Sequence, residues 1–149
     1  MKINRRNFIK SSALFGSIMI LPSLATSKIK GANGRMRAAV VGWGGQGRST
    51  VNSLLNSGDA EIVALCDVDD VRSTGSYRDE AGKIMLSKLE KANRFRDYRV
   101  MLDKMDKEID GVCVCTPDHT HYPISAWAIA NGKHVFCEKP LTRTIWESR

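Results

Sequence analysis

The chain has 149 residues, enough for one domain with a sizeable core, and its formal net charge is +7. Residues 1–37 carry eight Lys or Arg and no acidic residue, which leaves 15 basic against 16 acidic residues, a net charge of −1, in the remainder. Because the excess positive charge belongs to the N-terminal segment, we exclude nucleic acid as a partner of the domain that follows.

The N-terminal segment has the layout of an export signal. Basic residues precede an apolar stretch at residues 13–21, which is too short to span a bilayer comfortably, and small residues follow it. Residues 5–10, Arg-Arg-Asn-Phe-Ile-Lys, resemble the twin-arginine consensus Arg-Arg-x-Phe-Leu-Lys, with Ile9 in the place of Leu. We therefore predict a twin-arginine signal peptide over residues 1–27, which the twin-arginine translocase would recognise.

This signal would direct a folded protein to the periplasm or otherwise out of the cytoplasm. Cleavage after Ala25 or after Ser27 satisfies the preference for small residues at the cleavage site. Residues 28–35, which include two Lys and two Gly, are predicted to be a linker into the first strand. An uncleaved amphipathic helix at the N-terminus is the alternative interpretation.

A glycine-rich turn follows the first predicted strand, residues 37–41, and precedes a predicted helix over residues 46–57. A second predicted strand, residues 61–67, ends in Asp67, twenty residues beyond the last glycine of the turn. Strand, glycine triplet, helix, strand and acid in this order form the dinucleotide-binding fingerprint. The residues of this fingerprint that we expect to bind the cofactor are Gly42, Trp43, Gly44, Gly45, Gln46, Gly47 and Asp67.

Each part of this fingerprint has a physical role. Gly42 permits a tight turn off the strand, Gly44 permits close approach of the backbone to a pyrophosphate, and Gly47 permits close packing of the helix on the sheet. The helix N-terminus offers free N–H groups and a partial positive charge to the phosphates. Asp67 can accept hydrogen bonds from both ribose hydroxyls and would repel a 2′-phosphate, so the predicted cofactor is NAD rather than NADP.

The remaining segments continue the alternation of strands and helices. A polar surface stretch without regular structure is predicted for residues 69–78. Residues 79–91 are predicted to form a helix whose inner face consists of Ala81, Ile84, Met85 and Leu89. The other predicted elements are strands at residues 94–98, 110–115 and 135–137, helices at residues 100–102 and 122–131, and a further helix from Thr144 onward. This order predicts an α/β fold with a Rossmann-type doubly wound parallel sheet, which binds its ligand across the carboxyl ends of the strands.

The four cysteines are predicted to be buried free thiols within strands: Cys66, Cys113, Cys115 and Cys137. Two residues along a strand separate Cys113 from Cys115 by ~6.6 Å, which is too far for a disulfide. The spacing of these two cysteines to His119 and His121 matches no common zinc pattern. We therefore predict no metal site.

Several motifs together carry a resemblance to a known family. They are the glycine turn, Asp97-Tyr98-Arg99-x-Met101-Leu102, Cys115-Thr116-Pro117-Asp118-His119-Thr120-His121, and the segment from Gly132 to Leu141 that contains Glu138-Lys139-Pro140. With these motifs, residues 35–149 resemble the glucose–fructose oxidoreductase, inositol dehydrogenase and MocA family of NAD(P)-dependent sugar oxidoreductases. Some members of this family also carry twin-arginine leaders.

The resemblance implies roles for residues that follow the fourth and fifth strands. Lys139 would be the catalytic residue, because it would lie beside the nicotinamide, orient the substrate and help tune the acid–base group. In relatives the peptide bond before Pro140 tends to be cis. The residues of this region expected to bind the cofactor are Thr116, Pro117, His121, Glu138 and Lys139. A structural role for His121, as a cap of the following helix or a partner of Glu138, is the alternative.

The family also has a second α/β domain after this motif, which supplies the substrate pocket, the general-base histidine and the oligomer interface. Nothing in these 149 residues corresponds to it, so we expect a truncated chain. Residues 36–149 would be the NAD(P)-binding Rossmann domain of an exported oxidoreductase that acts on a sugar or cyclitol CH–OH group and forms homo-oligomers at full length.

Two alternative functions stay open at this point. One is a redox-neutral, NAD-dependent glycosidase of the same family, although members with that activity carry a different segment at the Thr-Pro-Asp-His position. The other is a non-catalytic NAD-binding module.

Overall fold

The computed structural model describes residues 34–149, and their centre is a five-stranded parallel sheet. Its strands are β1 (Met36–Val41), β2 (Ala60–Cys66), β3 (Asn93–Phe95), β4 (Gly111–Val114) and β5 (His134–Cys137). The helices are α1 (Gln46–Ser57), α2 (Asp70–Gly75), α3 (Glu80–Lys88), α4 (Tyr98–Met105) and α5 (His121–Ala130), and a 3-10 turn, Asp118–Thr120, precedes α5. The predicted signal peptide, residues 1–27, lies outside the described residues.

The sheet has the strand order β3-β2-β1-β4-β5, so the chain moves outward in one direction from β1 and then returns to continue on the other side. All four strand pairs are parallel. This is the doubly wound, Rossmann-type α/β fold that the alternation predicts. The predicted fold class is therefore confirmed.

Each face of the sheet packs against its own helices. One face carries α4 and α5, which contribute Met101, Leu102, Met105, Ile124 and Ala128 to an apolar cluster. The other face carries α1 and α3, which contribute Val51, Met85 and Leu89 to a second cluster. Strand β4 is buried along its whole length, as a central strand covered on both faces must be.

The prediction of an irregular stretch at residues 69–78 is wrong, because α2 lies there. The side chain of Asp69 accepts a hydrogen bond from the Arg72 N–H at 3.0 Å and caps the helix. Ser73 is only 2% exposed although the segment is polar. Contacts of Ser73 with distant parts of the chain therefore stabilise a helix that local periodicity does not show.

Two smaller expectations also differ from the structure. Met85 and Leu89, the residue after α3, are buried as predicted, but Ala81 and Ile84 are exposed and α3 buries Gly82 in their place. Helix α3 has this rotation because Gly82 packs directly on Tyr77: a Cβ at Gly82 would lie 2.6 Å from the Tyr77 Cα atom. Residues 144–149 form turns rather than a helix, and the Glu147 carboxylate accepts hydrogen bonds from the backbone N–H groups of residues 143 and 144.

An ion pair joins β1 to the residue that precedes β4, at the edge of the sheet opposite the carboxyl ends. The Asp110 carboxylate accepts hydrogen bonds from the Arg37 backbone N–H at 2.9 Å, from Nε at 3.0 Å and from Nη2 at 2.7 Å. These hydrogen bonds from Arg37 lower the pKa of the Asp110 carboxyl.

The cysteines are free thiols, as predicted, and Cys66, Cys113 and Cys115 are buried, but Cys137 on the edge strand β5 is only half-buried and Cys115 follows β4 rather than lying in it. Burial raises the pKa of both the Cys66 and the Cys113 thiol to about 12. They therefore pack as small apolar groups. Within residues 34–149, none of the helices has the length and apolar character needed to cross a membrane.

Candidate functional site

The carboxyl ends of β1 and β4 lie side by side at the point where the strand order reverses. The segments after β1, β2, β4 and β5 hold the predicted site residues. Since the four strands are parallel, these segments meet at the same edge of the sheet, where open α/β sheets bind their ligands.

The glycine turn after β1 has no room for a side chain at three positions: Gly42 and Gly47, which pack against backbone at the ends of β1 and β4, and Gly44, which packs against Ser73. Gly42 has a φ of +79°, and a Cβ there would lie 2.8 Å from the Cys115 carbonyl carbon and 2.8 Å from the Thr116 nitrogen. A Cβ at Gly47 would lie 1.9 Å from the Gly42 carbonyl oxygen. Glycine at the first and last of these positions is therefore required for α1 to begin directly against the end of β1.

The N-terminus of α1 has no competing polar groups of its own. Its N-cap residue, Gly45, has no side chain that could cap the helix, and its first turn contains no acidic residue. Gly45, the N-cap, and Gln46, the first helical residue, are exposed, and a Cβ at Gly45 would meet no atom within 4 Å. An exposed helix N-terminus after a glycine turn fits the diphosphate of a dinucleotide.

The indole of Trp43 does not face this edge. It is 1% exposed and packs against Tyr77, with the ring centroids 5.4 Å apart, while the Arg94 guanidinium lies 4.9 Å from the Trp43 ring centroid. The Tyr77 hydroxyl donates to the Trp43 carbonyl at 2.8 Å. Any contact of Trp43 with a cofactor would therefore come from its backbone.

Asp67 lies directly after β2, at the same edge, and both of its carboxylate oxygens have donors. Oδ1 accepts from the Asp69 N–H at 3.0 Å, and Oδ2 accepts from the Ser73 hydroxyl at 2.5 Å. Because each carboxylate oxygen has two lone pairs, both retain capacity for a ribose hydroxyl.

The segment after Asp67 also covers the glycine turn. The Gly45 N–H donates to Ser76 Oγ at 3.2 Å, and Arg48 donates to the Ser76 carbonyl at 2.8 Å. Arg48 also bonds Asp79 at 2.7 Å, which lowers the pKa of that carboxyl and raises the pKa of the guanidinium. A Cβ at Gly44 would lie 2.9 Å from the Ser73 Cα atom. Because Gly44 has no side chain, Ser73 of α2 can pack directly against it. The dinucleotide-binding fingerprint alone does not predict this contact.

After β4, two polar side chains meet the crevice. The Thr116 hydroxyl is buried and has no hydrogen-bond partner among residues 34–149, while the adjacent Pro117 is exposed. His121 is 2% exposed, and its ring nitrogens lie beside two carbonyl oxygens: Nε2 is 2.7 Å from Thr116 O, and Nδ1 is 2.6 Å from Pro140 O. His121 therefore joins the ends of β4 and β5.

The segment after β5 is more open. The Glu138 N–H donates to the Val114 carbonyl at 2.9 Å, which continues the pairing of the strands, and the Lys139–Pro140 peptide bond is cis. Lys139 is exposed, and it forms no ion pair with the other described residues. Residues 34–149 contain no group of three or more His, Cys, Asp or Glu side chains that could hold a metal ion.

Sequence reasoning did not find Ser73, Tyr77 and Arg48, which hold the glycine turn and Asp67 in place. Their signal was weak, because two of them lie in the polar stretch that was predicted to be irregular. Asp69 is the one local signal for α2, because an aspartate three residues before Arg72 can cap a helix by accepting from its backbone N–H.

A comparison with protein-family models places residues 36–149 in an oxidoreductase family with an NAD-binding Rossmann fold, GFO_IDH_MocA. The match covers well over half of the chain. The chain belongs to this family. The resemblance stated from the glycine turn, the Thr-Pro-Asp-His segment and the Glu-Lys-Pro segment is thereby confirmed for the Rossmann domain.

The proteins to which this chain is similar differ in the activity that their names give. A glycosyl hydrolase family 109 protein from Solibacter usitatus is 31% identical over 98% of this chain and 35% of its own length. Inositol 2-dehydrogenase 1 from Saccharopolyspora erythraea is 33% identical over 73% of this chain and 30% of its own length. The chain thus spans about a third of the length of the curated relatives that it matches.

Solved structures agree with the family assignment. The myo-inositol dehydrogenase from Lactobacillus casei, in complex with NAD(H) and myo-inositol, superposes with a TM-score of 0.63. It is 27% identical, and the superposition covers 76% of this chain and 31% of that one.

Proposed function

We propose that this chain is the NAD-binding domain of an exported oxidoreductase that acts on a CH–OH group of a sugar or cyclitol. The observation that carries the proposal is the exposed N-terminus of α1, which has no acidic residue in its first turn and lies beside Asp67, in a family whose Rossmann fold binds NAD. The substrate class is supported by the inositol dehydrogenases to which the chain is similar.

The residues at the sheet edge fit NAD. The backbone of residues 44–47 would hold the diphosphate at the α1 N-terminus, and Asp67 would accept the ribose hydroxyls. The unpartnered Thr116 hydroxyl and the exposed Pro117 would line the nicotinamide side. Bound NAD would supply the hydride acceptor or donor, and Lys139 would orient the substrate hydroxyl beside it.

We propose NAD rather than NADP because of the charges near Asp67. Asp69 and Asp70 follow it closely and add negative charge where a 2′-phosphate would lie. Two of the cations beside this segment already have partners: Arg94 pairs with Asp70 at 3.1 Å, and Arg96 donates to the Val68 carbonyl at 2.9 Å.

The test of cofactor choice is a calorimetric titration of NAD and NADP into the 149-residue chain. NAD should bind more tightly than NADP, and Asp67→Ala should weaken NAD binding by about tenfold because hydrogen bonds to a carboxylate are lost. Asp103→Ala removes an exposed carboxylate on α4 and is the matched control. Tighter binding of NADP by the unaltered chain would contradict the proposal.

The substrate-binding groups are proposed to lie outside residues 36–149, in the remaining two thirds of the length that the relatives have. The full-length protein is proposed to be a homo-oligomer. Hydride transfer needs donor, acceptor and base at about 3–3.5 Å from one another. We therefore expect no NADH absorbance above background when the 149-residue chain is incubated with NAD and a panel of sugars and cyclitols.

Export by the twin-arginine route is proposed from residues 5–10 and the weakly apolar stretch that follows them. Replacing both Arg5 and Arg6 by Lys conserves the charge but removes the arginine pair. The double variant should stay in the cytoplasm, while the unaltered chain should be recovered from the periplasmic fraction. A double variant that still reaches the periplasm would disprove this route.

A redox-neutral glycosidase is the second candidate function, and the similarity to a glycosyl hydrolase family 109 protein over 98% of the chain favours it. In that reaction NAD would be reduced and reoxidised within one turnover, so no NADH would accumulate. Release of a sugar from a chromogenic glycoside without net NADH formation by the full-length protein would favour the glycosidase. Stoichiometric NADH formation from a free sugar would favour the dehydrogenase.

A further inference from the structure

Ser73 is buried, with 2% of its surface exposed, in a short helix whose other residues are half-buried or exposed. Its hydroxyl donates to Asp67 Oδ2 at 2.5 Å, six residues back along the chain. A buried hydroxyl with a carboxylate partner is a specific arrangement, because burial without a partner would cost free energy.

The hydrogen bond completes the anchoring of Asp67. The Asp69 N–H holds Oδ1 at 3.0 Å, and Asp69 in turn caps α2 through the Arg72 N–H at 3.0 Å. The carboxylate is thus fixed by one donor on each oxygen. A fixed carboxylate loses less conformational freedom when it binds a ligand than a mobile one does.

Ser73 also contacts the glycine turn. A Cβ at Gly44 would lie 2.9 Å from the Ser73 Cα atom and 3.0 Å from its hydroxyl oxygen. Ser73 therefore lies between the residues proposed for the diphosphate and the residue proposed for the ribose, and it sets the distance between them.

We propose that Ser73 is a positioning residue that determines the preference for NAD over NADP by holding the Asp67 carboxylate. This inference rests on the proposed function, since it deepens the role given there to Asp67. With Ser73 in place, the fixed carboxylate receives two ribose hydroxyls and repels a 2′-phosphate. Without the hydroxyl, the carboxylate can rotate away, and it then repels a 2′-phosphate less strongly.

The experiment measures NAD and NADP affinities of the 149-residue chain and its variants by calorimetry. Ser73→Ala should weaken NAD binding roughly three- to tenfold, the loss expected when one side chain must be ordered on binding, and should lower the ratio of NAD to NADP affinity. Ser73→Cys keeps the volume but has only a weak donor, so it should behave like Ser73→Ala. Ser87→Ala removes an exposed hydroxyl on α3 and should change neither affinity.

A double-mutant cycle separates this role from simple packing. If Ser73 acts through the carboxylate, Ser73→Ala should have no further effect in an Asp67→Ala background. An equal loss in both backgrounds would overturn the inference, as would an unchanged NAD to NADP ratio in a folded Ser73→Ala or Ser73→Cys variant. Failure of both variants to fold, monitored by circular dichroism, would assign Ser73 a structural role only and would also overturn it.

Failure of the proposed function gives a different result. In that case the unaltered chain binds neither nucleotide, and both the proposal and this inference are wrong. If the unaltered chain binds NAD and the Ser73 variants match it, only the inference about Ser73 is wrong.

Discussion

The two halves of the crevice differ in how their polar groups are supported. In the half built from β1, α1, β2 and α2, the polar groups hold one another: Ser73 and Asp69 bond Asp67, and Ser76 bonds the glycine turn. In the half built from β4, α5 and β5, the Thr116 hydroxyl has no partner among the described residues and Lys139 is exposed. Leu141, Ile145 and Trp146 there are 65–77% exposed.

This difference shows which part of the crevice holds its polar groups in fixed positions before a ligand binds. The first half presents the groups proposed for diphosphate and ribose in fixed positions, so it is prepared for binding before any ligand arrives. The second half fixes only its backbone, through His121 and the pairing of Glu138 with Val114. Substitutions in the first half should therefore affect nucleotide affinity, while substitution of His121 or Lys139 in the second half should leave it nearly unchanged.

The largest expected effect tests the first half at its tightest point. Gly47→Ala would place a Cβ 1.9 Å from the Gly42 carbonyl oxygen, so α1 must move away from β1. We expect the free energy of unfolding to fall by about 3 kcal/mol and NAD binding to be lost. Thermal unfolding and NAD titration measure the two effects. Gly75→Ala is the control, since only the flexible Arg78 side chain lies near, at 3.4 Å; equal behaviour of the two variants would contradict the close packing.

A smaller effect is expected when the support of the second half is removed. His121→Leu would remove the imidazole whose nitrogens face the Thr116 and Pro140 carbonyl oxygens, at a cost of about 2 kcal/mol in unfolding free energy. Hydrogen exchange should accelerate at residues 116–121 and 138–141, while NAD affinity should change little. His119→Leu alters an exposed histidine and should affect neither measurement. Loss of NAD binding by the folded His121→Leu variant would contradict the proposed difference between the halves, since it would show that NAD affinity depends on the second half as well.

The dependence of the unfolding free energy on acidic pH tests the Arg37–Asp110 ion pair, which lies at the end of the sheet opposite the crevice. The folded pKa of Asp110 lies below the unfolded value of about 3.9, so its ion pair stabilises the fold above that pH and loses its effect as pH falls through the folded pKa. Below pH 4 the unaltered chain should lose about 1 kcal/mol more stability than Asp110→Asn does. Urea unfolding between pH 2 and 5 measures this, with Asp103→Asn as control. Parallel curves for the chain and Asp110→Asn would show that the pair contributes nothing.

The smallest effect is expected for the residue proposed to act on substrate. Lys139 is exposed and forms no ion pair within the described part of the chain, so Lys139→Ala should change NAD affinity by less than about twofold. Isothermal titration of both forms is sufficient. A tenfold loss would mean that Lys139 contacts the nucleotide itself and that the second half is better organised than its exposure indicates.

The sequence predicted the strands of both halves and helices α1 and α5, because the glycine turn and the periodicity of apolar residues are local signals. The predicted helix at residues 46–57 agrees with α1, and the end of β1 at Val41 agrees as well. Contacts between distant residues could not be predicted in this way. Trp43 is directed into the core by Tyr77, thirty-four residues later, and His121 by Pro140, nineteen residues later.

Helix α2 shows the same limit within the first half. Its composition is polar and its length is six residues, so neither periodicity nor propensity indicates a helix. The helix exists because Asp69 caps it and Ser73 packs against Gly44 and Asp67. The dinucleotide-binding fingerprint ends at Asp67, so it does not include α2, the segment that holds the Asp67 carboxylate in place.

The Arg37–Asp110 pair has a mechanical consequence for the crevice at the other end of the same strands. Besides the side-chain bonds, the Asp110 N–H donates to the Arg37 carbonyl at 2.9 Å, so β1 and β4 start in a defined register with Ala38 opposite Gly111. If β4 slipped by one residue, Cys113 and Val114 would each exchange the face of the sheet that they occupy now for the other face. The slip would also shift Thr116 by about 3.3 Å relative to Gly42. The ion pair at the amino ends of β1 and β4 thus determines which residues of the two strands lie opposite each other at their carboxyl ends, where the crevice is.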